Sequence, residues 1–282
     1  MRAMVFGFGM LMASVSTYGA EQGQGMPGDI GPDVQGQQVT YTVDDQQYSG
    51  YLARDVSAEG KRPGVLIVHE WWGQTDYIRQ RARKLAALGY VAFAVDMYGE
   101  GRTADHPDDA GSFSSDVMQD WPAAERNLGV AMATLKSQDG VDPERLAAIG
   151  YCFGGAVVLN AALAGMPLDA VVSFHGSPAQ VVETPKHFDG RVLIQNGQDD
   201  QMVKPEALQS LVDAFQKVDT SVTVIQYPHA QHAFTNPYVD AKAEQFDLPL
   251  AYSPAADAAS WQVMLNLFDQ VFARTSKGSK SQ

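Results

Sequence analysis

Six short runs dominated by apolar and β-branched residues constrain what this chain can fold into: PGVLIVHE (63–70), YVAFAVDMYG (90–99), RLAAIGY (145–151), DAVVSFHG (169–176), GRVLIQNGQDD (190–200) and SVTVIQYP (221–228). Apolar runs without strict alternation suit strands buried on both faces, the condition of a parallel sheet covered by helices. Helical periodicity fills the intervals. YIRQRARKLAALGY (77–90) sets Ile78, Ala82, Leu85 and Leu88 on one stripe, with Gly89 as C-cap and Arg79, Arg81, Arg83 and Lys84 on a solvated face. A helix is expected from about Pro122 to Leu135, and others over AVVLNAALAG (156–165), PEALQSLVDAFQKV (205–218) and SPAADAASWQVMLNLFDQVFAR (253–274). Ahead of these, QQVTYTV (37–43) and YSGYLA (48–53) flank the turn-like DDQQ and read as a β-hairpin. The alternation predicts an α/β three-layer sandwich with a mostly parallel central sheet and an N-terminal antiparallel hairpin. Turn-rich stretches at 99–119 and 235–253 leave the pattern and are the candidate lids and seats of specificity.

The chain opens with MRAMVFGFGMLMASVSTYGA, in which Arg2 precedes an apolar run followed by small and polar residues. That is the layout of a secretory signal peptide over 1–20, and the run is too short to span a bilayer. Residues 21–36, rich in Gly, Pro, Gln and Asp, read as a flexible lead-in. Residues 37–274 read as one domain and 275–282 as a disordered tail. The expected product is exported, periplasmic or secreted, free of the membrane after processing, and monomeric or a weak homodimer. A formal charge of −13 argues against nucleic acid or anionic membrane as a partner, since both attract basic surfaces.

In an exported protein a single cysteine is either a small core hydrophobe or a reactive thiol. Cys152 lies in IGYCFGGA (149–156), a glycine–x–nucleophile–x–glycine pattern between an expected strand and an expected helix. A sharp strand-to-helix turn strains the nucleophile's backbone, and side chains at Gly150 and Gly154 would strike neighbouring elements. The turn also puts the sulfur at a helix N-terminus, which favours a thiolate, and leaves the Phe153 N–H to face an oxyanion. Such a thiol needs a base, and the base an orienting acid, in the chain order nucleophile, acid, base. Asp200 in LIQNGQDDQMVKP is the candidate acid in preference to Asp199. His232 in YPHAQHAFTNP is the candidate base in preference to His229. In VHEWWG (68–73) the Trp71 N–H is the candidate second oxyanion donor, Glu70 could exchange hydrogen bonds with the thiol, and Trp71 and Trp72 supply aromatic walls. Glu70, Asp96, Cys152, His175, Asp200 and His232 all fall at expected carboxyl ends of strands, where such sheets gather reactive groups.

Taken in order, HEWWG, DMYGEG, GYCFGG, GQDDQMV and HAQHAF resemble the dienelactone hydrolase family of α/β-hydrolases, across a span from the hairpin to the last helix. The resemblance implies a Cys152–Asp200–His232 triad, Trp71 and Phe153 as oxyanion donors, and a Glu70 that helps turn the resting thiol into thiolate when substrate binds. It implies opening of a small-molecule lactone or ester through an acyl-thioenzyme, with no metal or organic cofactor. Trp72, Tyr98, Arg102 and Asn236 are candidates for substrate contact. In the family's ortho-cleavage enzymes arginines hold the substrate carboxylate, one of them four residues after the catalytic histidine. Here that position is Asn236, and Arg102 is either a replacement cation or a surface charge. Two rival readings use the same residues. One is a metal hydrolase built from His69, Glu70, His229 and His232; the other is a non-catalytic small-molecule binding protein on a hydrolase scaffold. A redox role for Cys152 would need an external thiol, because the chain has no resolving cysteine.

Overall fold

The hairpin is longer than its apolar residues suggest. In the computed structural model, which describes residue 31 and residues 33–278, β1 (Val34–Val43) pairs antiparallel with β2 (Gln46–Asp55) from Val34↔Asp55 to Val43↔Gln46. The strand thus begins inside the stretch read as lead-in, and the turn is only Asp44-Asp45, with Asp44 at φ 51°. Its first residues carry few apolar side chains because a ladder on an edge strand needs only backbone groups. Gly36 also makes room for Tyr51, whose hydroxyl would lie 1.8 Å from a Cβ there. The signal-peptide stretch, most of the lead-in and residues 279–282 lie outside the described residues.

The remaining elements follow the predicted alternation. They are β3 (Arg62–Val68), α1 (Asp76–Ala87), β4 (Val91–Val95), α2 (Pro107–Gln119), α3 (Trp121–Lys136), β5 (Val141–Tyr151), α4 (Phe153–Leu163), β6 (Ala170–Phe174), β7 (Arg191–Gly197), α5 (Pro205–Lys217), β8 (Ser221–Tyr227), α6 (Val239–Phe246) and α7 (Pro254–Gly278). The turn-rich stretches are not structureless: α2 occupies one and α6 the other. The closing helix is continuous past residue 274 to Gly278.

The eight strands form one sheet in the order β1-β2-β4-β3-β5-β6-β7-β8, antiparallel at β1/β2 and β2/β4 and parallel thereafter. Leu128, Val157 and Phe215 of α3, α4 and α5 pack on one face, while Ile78 and Leu85 of α1 and Met264 and Phe268 of α7 pack on the other. Full burial of side chains of this size stabilises by roughly 1.5–3 kcal/mol each. Among the described residues no helix is long and apolar enough to cross a membrane.

The structure corrects the solvated-face reading of α1 at one position. Arg81 is buried, with its guanidinium 2.7 Å from Asp257 Oδ1 on α7 and bonded to the Thr235 carbonyl. It lies among the rings of Tyr77, Tyr151 and Trp261 at 5.1–5.7 Å. Position 81 is three residues after Ile78 and four before Leu85, so it belongs to the apolar stripe. The helix accepts a cation there because Asp257, a carbonyl and three aromatic faces replace its water.

Candidate active site

β5 ends at Tyr151 and α4 starts at Phe153, so Cys152 alone turns the chain, at φ 53° and ψ −114°. A backbone held there in a non-glycine residue costs about 1–3 kcal/mol and persists only if its surroundings enforce it. The Cys152 N–H donates to the Phe174 carbonyl at 3.0 Å, and its own carbonyl accepts from Gly155 N–H at 3.0 Å. The glycine frame is a packing requirement. A Cβ at Gly150 would lie 2.0 Å from the Gly154 carbonyl oxygen, and one at Gly154 would lie 2.3 Å from that of Val68. Gly155, outside the minimal pattern, is equally confined, with Ser173 Oγ at 2.5 Å.

Three side chains from three strand ends converge on this turn. His232 Nε2 is 3.2 Å from Cys152 Sγ, and His232 Nδ1 is 2.8 Å from Asp200 Oδ2. The other Asp200 oxygen accepts the N–H groups of Met202 (2.9 Å) and Val203 (3.2 Å), which fixes the carboxylate and leaves Oδ2 for the imidazole. Asp200 and His232 are buried and Cys152 is partly exposed, whereas Asp199 and His229 face solvent 3.9 Å from each other. Burial alone would depress the His232 pKa. Negative charge on Cys152, with the hydrogen bonds and charge of Asp200, outweighs it and lifts the pKa to about 10.

The loop carrying His232 is pinned from below. Thr235 Oγ1 is 2.7 Å from His175 Nε2 and 2.6 Å from the Tyr77 hydroxyl, while Arg81 holds its carbonyl. The His175 ring meets that of His232 edge-on at 5.3 Å, and burial keeps its pKa well below the ordinary value. His175 is therefore a neutral support. Asp96 is also structural, since its carboxylate accepts the N–H groups of Ser49, Tyr98, Gly99 and Gly101.

The peptide joining Glu70 to Trp71 is clamped. The Glu70 carbonyl faces His69 Nδ1 at 2.6 Å and accepts Gly73 N–H at 3.0 Å, so in a trans peptide the Trp71 N–H points the opposite way. His69 Nε2 accepts Met97 N–H at 3.2 Å, which assigns the proton to Nδ1. The Trp71 N–H has no hydrogen-bond partner among the described residues. Phe153 is the first residue of α4, where N–H groups lack intrahelical partners. Tyr98 donates to the Trp71 carbonyl at 2.9 Å and stacks on Phe153 at 5.7 Å, so it braces both candidate donors.

Of the remaining candidates, Asn236 Nδ2 donates to Glu70 Oε2 at 2.7 Å, with both residues buried. Burial raises the Glu70 pKa to about 7 against the opposing pull of Asn236, His232, Arg81 and Lys242. Trp72 is buried between Trp71, Phe246 and the Lys242 ammonium, which sits 4.0 Å from its ring centre. Arg102 turns to the Tyr98 carbonyl and the Phe113 ring. The rival metal set is not assembled: both His69 nitrogens are engaged by backbone and the His229 side chain is 95% exposed. No group of three or more His, Cys, Asp or Glu is disposed to hold a metal ion among the described residues. Lys242 and the Arg81–Thr235–His175 support were not anticipated. Arg81 gave a signal through its place on the α1 stripe, and His175 through its place at the carboxyl end of a strand.

This sheet order, a nucleophile-type elbow at the end of β5, and an acid and a histidine following β7 and β8 define an α/β-hydrolase. A sequence model of the dienelactone hydrolase family matches residues 48–272, and the chain belongs to that family. It is 28% identical over 237 residues to the Escherichia coli K12 protein named "Putative carboxymethylenebutenolidase", covering 80% of this chain and 83% of that one. Among solved structures, m3DLH superposes with a TM-score of 0.80 at 36% identity, covering 85% of this chain and 99% of the other. A dienelactone hydrolase-like promiscuous phosphotriesterase from metagenomic libraries gives 0.78 at 33% identity over the same shares.

Proposed function

We propose that this protein hydrolyses a small-molecule carboxylic ester or lactone with Cys152 as nucleophile, His232 as proton carrier and Asp200 as its orienting acid. The observation that carries the reading is the contact chain Sγ–Nε2 of 3.2 Å and Nδ1–Oδ2 of 2.8 Å, set on a strained turn that presents the sulfur. Family membership and the names of the relatives support the reaction class.

In this mechanism the Cys152 sulfur attacks the acyl carbon, and the developing oxyanion takes the Trp71 and Phe153 N–H groups. Removing one such donor typically costs roughly a hundredfold or more in rate. The leaving alkoxide takes the proton from His232, leaving a thioester on Cys152. Charge on Cys152 is the leading contribution holding the His232 proton, so acylation, which removes that charge, lets His232 become a neutral base. It can then deprotonate the water that hydrolyses the thioester, and collapse of the second intermediate releases the Cys152 sulfur. Glu70, next to the donor Trp71 in the chain, is assigned the role of exchanging hydrogen bonds with the sulfur.

The test is hydrolysis of a panel of aryl esters, enol-lactones and lactones by the wild type and Cys152→Ala, with and without chelator. Loss of all turnover in the variant, with no effect of chelator, is expected. Equal turnover in the variant would remove Cys152 from the mechanism, and a folded wild type silent across the panel would favour a binding protein. Export is proposed as well, on the Arg2-plus-apolar opening of the chain.

A further inference from the structure

Among the described residues, four cationic or titratable groups set around the loops of the proposed site, Arg81, Arg102, Lys242 and His232, each have a partner within the protein. Arg81 is committed to Asp257 and the Thr235 carbonyl and enclosed by aromatic rings. Arg102 lies against the Tyr98 carbonyl and Phe113, in a cleft it shares with Asp116 and Asp120. Lys242 sits over Trp72 with its ammonium 3.4 Å from the Asp105 carbonyl. His232 lies between Cys152 and Asp200.

The anions are distributed otherwise. Glu70 immediately precedes the candidate oxyanion donor Trp71, is buried, and its carboxylate accepts a hydrogen bond, at 2.7 Å, from the neutral amide of Asn236. That amide satisfies an oxygen but cancels no charge. The groups that face Glu70 electrostatically are His232, Arg81 and Lys242, together with Tyr77 and Tyr151. Aromatic rings pack on either side of this loop, Trp71 against Trp72 and Tyr98 against Phe153. The chain as a whole carries −13.

We propose that the site selects uncharged esters and lactones and rejects substrates with a carboxylate near the scissile bond, and that the Glu70–Asn236 pair sets this choice. The inference rests on Cys152 being the nucleophile. A substrate carboxylate entering here would lose water and meet the Glu70 carboxylate, while Arg81 and His232 are already paired with Asp257 and Asp200. A neutral acyl chain would lose only its contact with water.

The test compares two esters of one length and one leaving group: mono-4-nitrophenyl glutarate, which carries a free carboxylate, and its methyl-capped neutral form. At pH 8 the wild type should prefer the capped ester in kcat/KM by about tenfold or more, the scale of like-charge rejection at an interior site. Glu70→Gln should lower both rates and shrink the ratio, Asn236→Lys should shift it toward the free acid, and the wild-type ratio should fall between pH 8 and pH 6. Equal handling of the two esters by the wild type would overturn the inference. So would a ratio that neither Glu70→Gln nor acidification moves. Turnover of neither ester, or turnover that survives Cys152→Ala, would instead overturn the hydrolase mechanism beneath it.

Discussion

Replacing Glu70 by glutamine should change how stability depends on pH. The Glu70 pKa rises from 4.5 to about 7 on folding, chiefly because burial penalises its charge. Glutamine keeps the shape and can still accept the Asn236 hydrogen bond, while removing the titration. A carboxyl whose folded pKa is raised contributes its full stability below the unfolded value and loses it as pH climbs through the folded value. The shift is about 2.5 units, and at 1.36 kcal/mol per unit it corresponds to about 3 kcal/mol. Between pH 4.5 and pH 7–8 the wild type should therefore lose about 3 kcal/mol relative to Glu70→Gln. For a domain this size that is a relative change of roughly 6–12 °C in Tm. Urea unfolding of both proteins from pH 4 to pH 9 measures it, since most other titrating groups cancel in the difference. Parallel stability curves would refute the reasoning, because they would mean that Glu70 ionises alike in the folded and unfolded chain.

Other perturbations test the supports around the site. Gly154→Ala places a Cβ 2.3 Å from the Val68 carbonyl oxygen and should cost about 3 kcal/mol or more in urea unfolding, with loss of turnover. Gly129→Ala, in α3 with open space around it, should instead stabilise by roughly 0.5–1 kcal/mol. Asp257→Asn leaves the Arg81 guanidinium buried without its anion and should cost about 3–5 kcal/mol by the same assay. Tyr98→Phe removes the bond to the Trp71 carbonyl at about 1 kcal/mol. Steady-state kinetics should show kcat falling several-fold with KM little changed.

The parallel strands were readable because their runs are apolar throughout, and the elbow because its glycines must be glycine. Order after late strands singled out Asp200 and His232, whose side chains meet at 2.8 Å beside Cys152, while Asp199 and His229 lie in solvent. Tertiary partners account for what was less visible. Arg81 lies on the apolar stripe of α1, yet Asp257, which makes it tolerable there, is 176 residues away. β1 starts at Val34 because its partner is β2, and backbone pairing leaves no side-chain signal in a run such as VQGQQ. The capture of Glu70 by Asn236, the bond from Met97 N–H that orients His69 and the brace by Tyr98 link residues 27 to 166 positions apart, and no local pattern encodes them.

The most direct measurement is to mix the protein with an activated aryl ester such as 4-nitrophenyl acetate, quench in acid within milliseconds to seconds, and locate any acyl group by peptide mass spectrometry. The mechanism predicts a burst of nitrophenol, a transient acyl group on the peptide containing Cys152, and neither in Cys152→Ala. Its lifetime should lengthen in His232→Ala, which removes the base for deacylation. Steady turnover with no acyl group on Cys152, or an unchanged burst in Cys152→Ala, would contradict the central claim.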